Sequence, residues 1–375
     1  MWPQLGISNM LNINLTAPIN QLGYGVVGSN ILTTMLNNKI NVKLWPIGRV
    51  DTGAFALDEV DKNTLKIQRC IDAHSVYDIH APSLRIWHQF DLAQHVGKGL
   101  HIGFPIFELD DFTNQEKAEL NRLDILFVCS RWAKNVVEKH CPGVNIKVVP
   151  LGVNRKIFHE NIKEPDPEWT TFINVGKWEY RKGHDILAEA FHKAFEPKDR
   201  VRLWMMSHNP FISREKTQYW EGLYKNGKMG HRVSFLPRQL NADGVANVMA
   251  AADCGVFPAR AEGWNLELLE MMSVGRRVIA TNYAGHTEFC NESNCYLLDV
   301  DNLERAQDNV FFDGKVGNWA NLDKHKEVGQ LLIAAMRDVY LRKQNQELWH
   351  NINGITTAKN LTWDNTTNVI SSYVL

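Results

Sequence analysis

Two glutamates, Glu262 and Glu270, flank the start of a predicted helix, where carboxylates could bind hydroxyl groups on either side of a phosphate. Residues 262–270 follow an apolar run, and Asn265 and Gly275 are residue types that begin and end helices. Free backbone N–H groups at such a helix start form an anion site. At about 1.5 Å per residue, Glu270 lies roughly 7–8 Å along the helix axis. One site could therefore bind a phosphate and contact sugar hydroxyls on both sides of it.

The alternative is that these glutamates lie on a solvated helix face, which is common for two carboxylates at this spacing. Glu270, however, stands among four apolar residues, Leu268, Leu269, Met271 and Met272. A helix in the middle of an α/β sheet is apolar on most faces, and a charge there costs free energy unless it is paired. This surrounding favours a functional carboxylate and leaves the surface interpretation open.

A second segment places two lysines in a loop between a strand and a helix. Residues 171–176 form a β-rich run that ends in glycine, and residues 185–191 have apolar positions at helical spacing. Lys177 and Lys182 lie between them, at the carboxyl end of a strand, where open α/β sheets bind ligands. Two ammonium groups there suit a diphosphate, and each charge-assisted hydrogen bond contributes on the order of 1.5–3 kcal/mol. Either lysine taken singly would be an ordinary surface lysine.

Together these two segments resemble glycosyltransferase family 4, a family of retaining nucleotide-sugar transferases with the GT-B fold. The family's paired motif is matched here by Gly-Lys at 176–177 with Lys-Gly at 182–183, and by Glu-x7-Glu at 262–270. Further matching segments are residues 130–132, 148–154, 277–281 and 285–288. The resemblance covers most of the chain and is most specific over residues 148–300.

The resemblance implies how the diphosphate of the sugar donor is bound. Lys177 and Lys182 would hold it as the catalytic cations, with Lys177 standing where many members have arginine. Backbone amides around Asn265 and Leu266 would complete the site. Asn265 departs from the family pattern, in which glycine or proline is more usual, but its backbone amide remains available.

The resemblance also implies contacts to the rest of the donor and to the acceptor. Glu262 would orient the donor sugar beside the reacting carbon without acting as a nucleophile, and Glu270 would accept hydrogen bonds from the ribose. Arg238 lies where members contact the base. Glu108 is the acceptor-side candidate, because it ends a predicted strand that opens at His101, in a region where the family often has a sugar-contacting histidine.

A glycine motif, Gly-x-Gly-x-x-Gly at residues 23–28, follows a predicted strand and precedes a helical run. A dinucleotide site of this form needs an acid about 20 residues further on, at the end of the next strand. Here Asp51 comes late and beyond a turn. The resemblance instead implies a glycine loop whose backbone, at Gly25, approaches the donor phosphates. A plain tight turn and a nicotinamide site are the alternatives.

Two acidic pairs raise the question of a metal-dependent transferase of the GT-A type, which binds its donor through a divalent ion. Asp299 and Asp301 form a D-x-D sequence, but they follow a late apolar run and are expected to lie in a loop. Asp110 and Asp111 are better placed, at a predicted strand end. The family resemblance implies no metal and no cofactor, since two lysines and a helix end would neutralise the diphosphate.

The chain length and the alternation of elements predict two domains. A chain of 375 residues exceeds the size at which single cores stop growing. Short β runs alternating with helical patterns predict α/β domains with doubly wound parallel sheets. With the resemblance, this gives a GT-B architecture of two Rossmann-like domains that face a cleft. The acidic, proline-containing segment 164–168 marks the boundary region.

The predicted domains are an acceptor-side domain at residues 1–160, a donor domain at residues 161–349 and a C-terminal helix at residues 350–375. The resemblance places that last helix back on the first domain. The sequence has no internal repeat or low-complexity tract.

The charge balance argues against a general attraction to nucleic acid or to an anionic membrane, because 41 basic residues face 42 acidic ones. A local basic face formed by Arg131, Lys134, Lys139 and Lys147 would allow peripheral membrane contact, although solvated surface is the simpler interpretation. The sequence contains no run of 18 apolar residues, so it predicts no membrane-spanning helix. Residues 1–4 lack the features of a secretory signal, and six cysteines without CxxC spacing suit reduced thiols in the cytoplasm.

The sequence therefore predicts an enzyme, a retaining hexosyltransferase that uses a UDP- or GDP-linked sugar and a glycan or glycolipid acceptor. One alternative is a transferase acting on modified DNA bases, as some phage enzymes of this fold do. Another is a GT-B protein without transferase activity, such as a nucleotide-sugar epimerase or a binding module. The sequence does not determine the acceptor, the donor base and sugar, or the oligomeric state.

Overall fold

The computed structural model describes residues 11–308, 310–322, 327–348 and 350–374. Within them, two six-stranded parallel sheets alternate with helices, and an antiparallel hairpin follows the second sheet. This arrangement confirms the predicted α/β class with two doubly wound sheets. The expectation about a secretory signal rested on residues 1–4, which lie outside the described residues.

The first sheet is formed by the N-terminal part of the chain. Its strands are β1 (Asn12–Ala17), β2 (Asn41–Pro46), β3 (Ser83–Arg85), β4 (His101–Gly103), β5 (Ile125–Val128) and β6 (Ile146–Val148). Their spatial order is β2-β1-β3-β4-β5-β6, and all neighbours are parallel. β5 reads Ile-Leu-Phe-Val and is buried throughout, as expected for a strand in a parallel sheet covered on both faces.

Four helices accompany the first sheet: α1 (Gly23–Asn37), α2 (Val60–Asp72), α3 (Asn114–Leu120) and α4 (Arg131–His140). Local sequence fixes two of their starts. Thr113 and Glu116 form a reciprocal capping box at α3, and the Ser130 hydroxyl accepts a hydrogen bond from the Ala133 N–H at α4.

The second sheet contains β7 (Thr170–Gly176), β8 (Val201–Ser207), β9 (Val233–Phe235), β10 (Cys254–Phe257), β11 (Arg277–Thr281) and β12 (Tyr296–Leu298). Its helices are α5 (His184–Ala194), α6 (Arg214–Lys225), α7 (Ala242–Ala250) and α8 (Leu266–Ser273). The spatial order is β12-β11-β10-β7-β8-β9.

Each sheet has a point at which the strand order reverses, and ligands of open α/β sheets bind beyond the strand ends at such points. In the second sheet this point lies between β7 and β10, so the loops after these strands face each other. In the first sheet it lies between β1 and β3. The loop with the two lysines and the turn before α8 therefore meet at one crevice.

The hairpin after the second sheet was not predicted from the sequence. It consists of β13 (Leu303–Gln307) and β14 (Asp313–Ala320), which have few alternating apolar positions. Trp319 of β14 is fully buried, and its ring lies 5.9 Å from that of Tyr180. The Asn318 N–H donates to Asp110 Oδ1 at 2.6 Å, so the hairpin also contacts the loop after β4.

Three helices complete the chain: α9 (Glu327–Gln344), α10 (Ile352–Asn360) and α11 (Trp363–Val374). α9 packs against α5 and α10 against α8, both in the second part, whereas α11 packs against α1. The Thr366 hydroxyl, near the start of α11, donates to the Pro150 carbonyl at 2.8 Å. The domain boundaries at 160/161 and 349/350 stay predictions.

Two local predictions were wrong. The glycines at 23–28 lie in the first turns of α1 and do not form a loop. The predicted strand from His101 to Glu108 ends at Gly103, so Glu108 lies in the loop that follows β4. Gly25 and Gly28 are needed because the chain before the helix approaches closely. A Cβ on Gly25 would stand 2.6 Å from the Asn20 backbone nitrogen, and one on Gly28 would stand 2.2 Å from the Pro18 carbonyl oxygen.

Candidate functional site

A cavity of about 450 Å³ lies between the two sheets and is lined by residues from both. Every residue proposed from the sequence lines it: Gly25, Glu108, Lys177, Lys182, Arg238, Glu262, Asn265, Leu266 and Glu270. The structure therefore brings these residues together around one space. Their individual roles stay predictions.

The start of α8 faces this cavity, and Asn265 is the N-cap residue of this helix. Its backbone adopts a left-handed conformation (φ 75°), which asparagine tolerates better than most residues, and its side-chain oxygen accepts a hydrogen bond from the Leu268 N–H at 3.3 Å. The Asn265 side-chain Nδ2 is buried and has no hydrogen-bond partner. Asn265, Leu266 and Glu267 line the cavity, so the start of α8 lies where its backbone N–H groups could bind an anion.

The loop after β7 turns sharply so that its lysines face α8. Gly183 has φ 73°, and a Cβ at this position would lie 1.9 Å from the Pro258 carbonyl oxygen, so glycine is required. Lys182 Nζ lies 2.7 Å from Glu262 Oε1, and Lys177 Nζ lies 2.6 Å from Glu179 Oε1. Both lysines are therefore paired with carboxylates.

Arg181 is the main residue that sequence reasoning missed. Its guanidinium is buried and lies 3.0 Å from Glu262 Oε2 and 2.8 Å from Glu179 Oε2, and it donates to the Ala261 carbonyl at 2.7 Å. Glu108 Oε1 lies 3.8 Å away. The sequence signal was an arginine beside Lys182 in the basic loop, but nothing local distinguished it from a surface charge.

The ionisation of Glu262 is set by burial and by its two cations. Burial opposes the charged form, but Lys182 and Arg181 outweigh it and lower the pKa of Glu262 to about 2. The pKa of Lys182 is raised, because Glu262 and Glu267 more than offset the effect of its burial. Both groups are therefore charged at neutral pH.

Two other carboxylates in the cavity behave differently. Burial, and then repulsion from Glu267, raises the pKa of Glu270 well above its ordinary value. Burial also raises the pKa of Glu108, with Arg181 opposing and Glu262 adding to the effect. Glu270 is thus a poorly compensated carboxylate that faces the cavity, where ligand hydroxyls could donate hydrogen bonds to it.

Arg238 lies at the far side of the cavity and joins the two parts of the chain. Its guanidinium donates to Gln21 Oε1, and Gln21 Nε2 donates to the Leu240 carbonyl at 2.6 Å. Nearby, the Leu57 N–H donates to Asp243 Oδ2 at 2.7 Å. These contacts join residues near the first sheet to residues 238–243 of the second part of the chain.

His88 is a second residue that sequence reasoning missed. It follows β3 and lines the cavity, with its ring stacked on Phe90 at 5.2 Å and tilted against Tyr24 at 4.5 Å. Burial, and then the nearby Lys177, lowers the pKa of His88 to about 4. The ring is therefore neutral at pH 7 and can both donate and accept a hydrogen bond. No motif in the sequence marks this histidine.

Two kinds of feature are absent from the described residues. No cluster of three or more His, Cys, Asp and Glu side chains in this part of the chain is arranged to hold a metal ion. Metal independence of the reaction stays a prediction. No helix among the described residues is both long and apolar enough to cross a membrane.

Comparisons with known proteins agree with the fold. Residues 170–311 match the family described as Glycosyl transferases group 1. The prediction that the protein is an enzyme is confirmed, since these residues match a family of glycosyltransferases. No curated protein sequence matches the chain.

Solved structures similar to this chain have low sequence identity and nearly complete coverage. Sucrose-phosphate synthase from Thermosynechococcus elongatus has a TM-score of 0.70 at 15% identity, over 97% of this chain and 98% of that one. A glycosyltransferase from Rickettsia africae has a TM-score of 0.70 at 14% identity, over 98% of each. HepE from Anabaena, in complex with UDP and glucose, has a TM-score of 0.65 at 14% identity, over 97% and 99%. These similarities confirm the GT-B fold.

Proposed function

We propose that the protein is a retaining glycosyltransferase of family 4 that moves a sugar from a UDP- or GDP-linked donor to a glycan or glycolipid acceptor. One observation carries this proposal: three cations, Lys177, Arg181 and Lys182, line the same cavity as the start of α8 and Glu270. Cations and helix N–H groups suit the leaving diphosphate. A carboxylate one helical turn further on suits a ribose hydroxyl.

The bond to be broken joins the anomeric carbon of the donor to a phosphate oxygen, on which negative charge develops. Lys182 and Lys177 would stabilise that charge, as would the N–H groups that follow Asn265. These groups are fixed before the donor arrives, so little reorganisation is required. In other enzymes, removal of one such hydrogen-bond donor lowers the reaction rate about 10²–10³-fold.

Glu262 would orient the donor sugar and would not attack it. Its carboxylate is bound by Lys182 at 2.7 Å and by Arg181 at 3.0 Å, and its pKa of about 2 reflects their charge. A carboxylate so strongly stabilised as an anion is a weak nucleophile. On the acceptor side, Glu108 and His88 line the same cavity and could contact the incoming hydroxyl.

The similarity to HepE, whose structure contains UDP and glucose, supports a UDP-linked donor. The six cysteines are unpaired and buried, which supports a cytoplasmic location. The acceptor class and metal independence rest on the family resemblance. Neutral overall charge makes nucleic acid the less favoured acceptor.

The test begins with thermal unfolding of the protein in the presence of several UDP- and GDP-linked sugars. The sugar that stabilises it most is then incubated with glycan and glycolipid acceptors, and the anomeric configuration of the product is read by proton NMR. We expect nucleotide release that depends on acceptor and a product of retained configuration. Lys182→Ala and Glu262→Gln should each reduce transfer well over tenfold.

Lys134→Ala and Glu138→Gln serve as matched controls, because this pair lies on α4 and is solvent-exposed. Their transfer rates should equal that of the unmodified protein. An inverted product, or full activity of Lys182→Ala, would contradict the proposal. Change of the donor sugar without any acceptor would indicate an epimerase instead.

A further inference from the structure

Lys182 is approached by a second carboxylate besides Glu262. Glu267 lies in the first turn of α8, and its Oε1 is 3.7 Å from Lys182 Nζ. The Glu267 side chain is 29% exposed, whereas that of Lys182 is 9% exposed. Glu267 also lines the cavity, beside Glu270. The expected diphosphate site is therefore partly occupied by a side chain of the protein itself.

The cations at this site are already paired with carboxylates before any ligand is present. Lys177, Arg181 and Lys182 contact the carboxylates of Glu179, Glu262 and Glu267, and a fourth, that of Glu108, lies 3.8 Å from Arg181. A donor diphosphate brings about two further negative charges into a poorly solvated space. Such an excess is costly, so one carboxylate must give up its cation when the donor binds.

The geometry indicates which carboxylate yields. Glu179 and Glu262 each contact two cations at 2.6–3.0 Å, and their side chains are only 3% and 7% exposed. Among the described ion pairs, Glu267 contacts Lys182 alone, at 3.7 Å, and its partly exposed side chain can turn toward solvent. Glu108 is similarly distant from its cation, but that cation is Arg181 and not Lys182. We propose that Glu267 competes with the donor diphosphate for Lys182 and thereby sets donor affinity. This inference rests on the function proposed above.

The start of α8 strengthens the competition. A carboxylate in the first helical turn is stabilised by the helix dipole and the free N–H groups, which are the same features that attract a phosphate. The buried Nδ2 of Asn265 has no partner there and could donate to a bound phosphate oxygen. In the unliganded protein, Glu267 therefore lies beside both Lys182 and the start of α8. Its negative charge repels a phosphate from both of these features.

The experiment is isothermal titration calorimetry of Glu267→Gln with UDP and with GDP, alongside uridine and guanosine. We expect the nucleoside diphosphate that binds the unmodified protein to bind Glu267→Gln about tenfold more tightly, because one negative charge near the phosphates is removed. Affinity for the nucleosides, which lack phosphate, should not change. Glu138→Gln, on the exposed face of α4, should leave every affinity unchanged.

Thermal unfolding checks that Glu267→Gln is folded, and Glu267→Ala replaces it if it is not. Equal or weaker diphosphate binding by the folded variant would overturn the competition and leave the proposed function standing. An equal gain for the nucleoside would also overturn it, since Lys182 would then not be the contested group. If UDP and GDP bind neither the unmodified protein nor the variant, both proposals fail.

Discussion

Replacing Lys182 by methionine should destabilise the unliganded protein and remove most transfer. Replacing Glu262 as well should cost less stability than the two single changes added together, without restoring transfer. The two side chains are only 9% and 7% exposed, and Nζ lies 2.7 Å from Oε1. Removing one partner of a buried ion pair costs about 3–5 kcal/mol, because the other charge is left buried. Glu262 retains Arg181 at 3.0 Å, so we expect about 2–3 kcal/mol for Lys182→Met.

In the double variant Lys182→Met with Glu262→Gln, the orphaned charge is absent. We expect it to be more stable than the sum of the two single changes predicts, by about 1–2 kcal/mol. Transfer should stay at least a hundredfold below that of the unmodified protein, since both proposed contacts to the donor are gone. Stability and catalysis should therefore separate.

The assays are urea unfolding, which gives the free energy of unfolding of each variant, and nucleotide release with a matched donor and acceptor. The exposed pair Lys134 and Glu138 is the control, and its double-mutant cycle should give a coupling below about 0.5 kcal/mol. Additive stability changes for Lys182 and Glu262, or transfer that recovers together with stability, would refute the reasoning.

Three further predictions concern single groups. Glu270→Gln should raise the midpoint of thermal unfolding while weakening nucleotide binding in calorimetry, because burial and Glu267 raise the pKa of this carboxyl and make its charge costly; a lower midpoint would contradict this. Gly25→Ala should cost about 1–3 kcal/mol in urea unfolding, since its Cβ would lie 2.6 Å from the Asn20 backbone nitrogen, whereas Gly23→Ala has open space and should cost less than about 1 kcal/mol. The pKa of Glu262 is lowered from 4.5 to about 2, so its contribution to stability should be complete above pH 4.5 and lost as the pH falls toward 2. Glu262→Gln should flatten this part of the profile of unfolding free energy against pH. An unchanged profile would count against the pairing.

Much of the fold could be predicted because its signals are local. The strand at residues 171–176 was predicted within one residue of its observed bounds, Thr170–Gly176, from a β-rich run that ends in glycine. Asn265 and Gly275 marked the ends of α8 because their types suit the left-handed conformations that both adopt. The hairpin β13–β14 was missed, since its strands lack an alternating apolar pattern and its stability depends on Trp319 packing against distant residues.

The predicted glycine loop failed for a related reason. The Gly-x-Gly-x-x-Gly spacing indicates that another backbone segment passes close to these glycines. It does not specify whether the glycines belong to a loop or to a helix. Here the closeness arises because residues 17–20 cross the first turns of α1. Only the packing of that segment reveals why side chains are excluded.

The sequence by itself determined the order of strands, loops and helices and the residue types at their junctions, because turns, caps and apolar periodicity act over a few residues. Tertiary structure decided which charges meet. Arg181 contacts the Ala261 carbonyl across 80 residues of chain, and Glu262 and Glu267 share Lys182 at distances that differ by about 1 Å. Ionisation and pairing depend on such distances and on burial, and neither exists until the loops after β7 and β10 have been brought together at the second sheet.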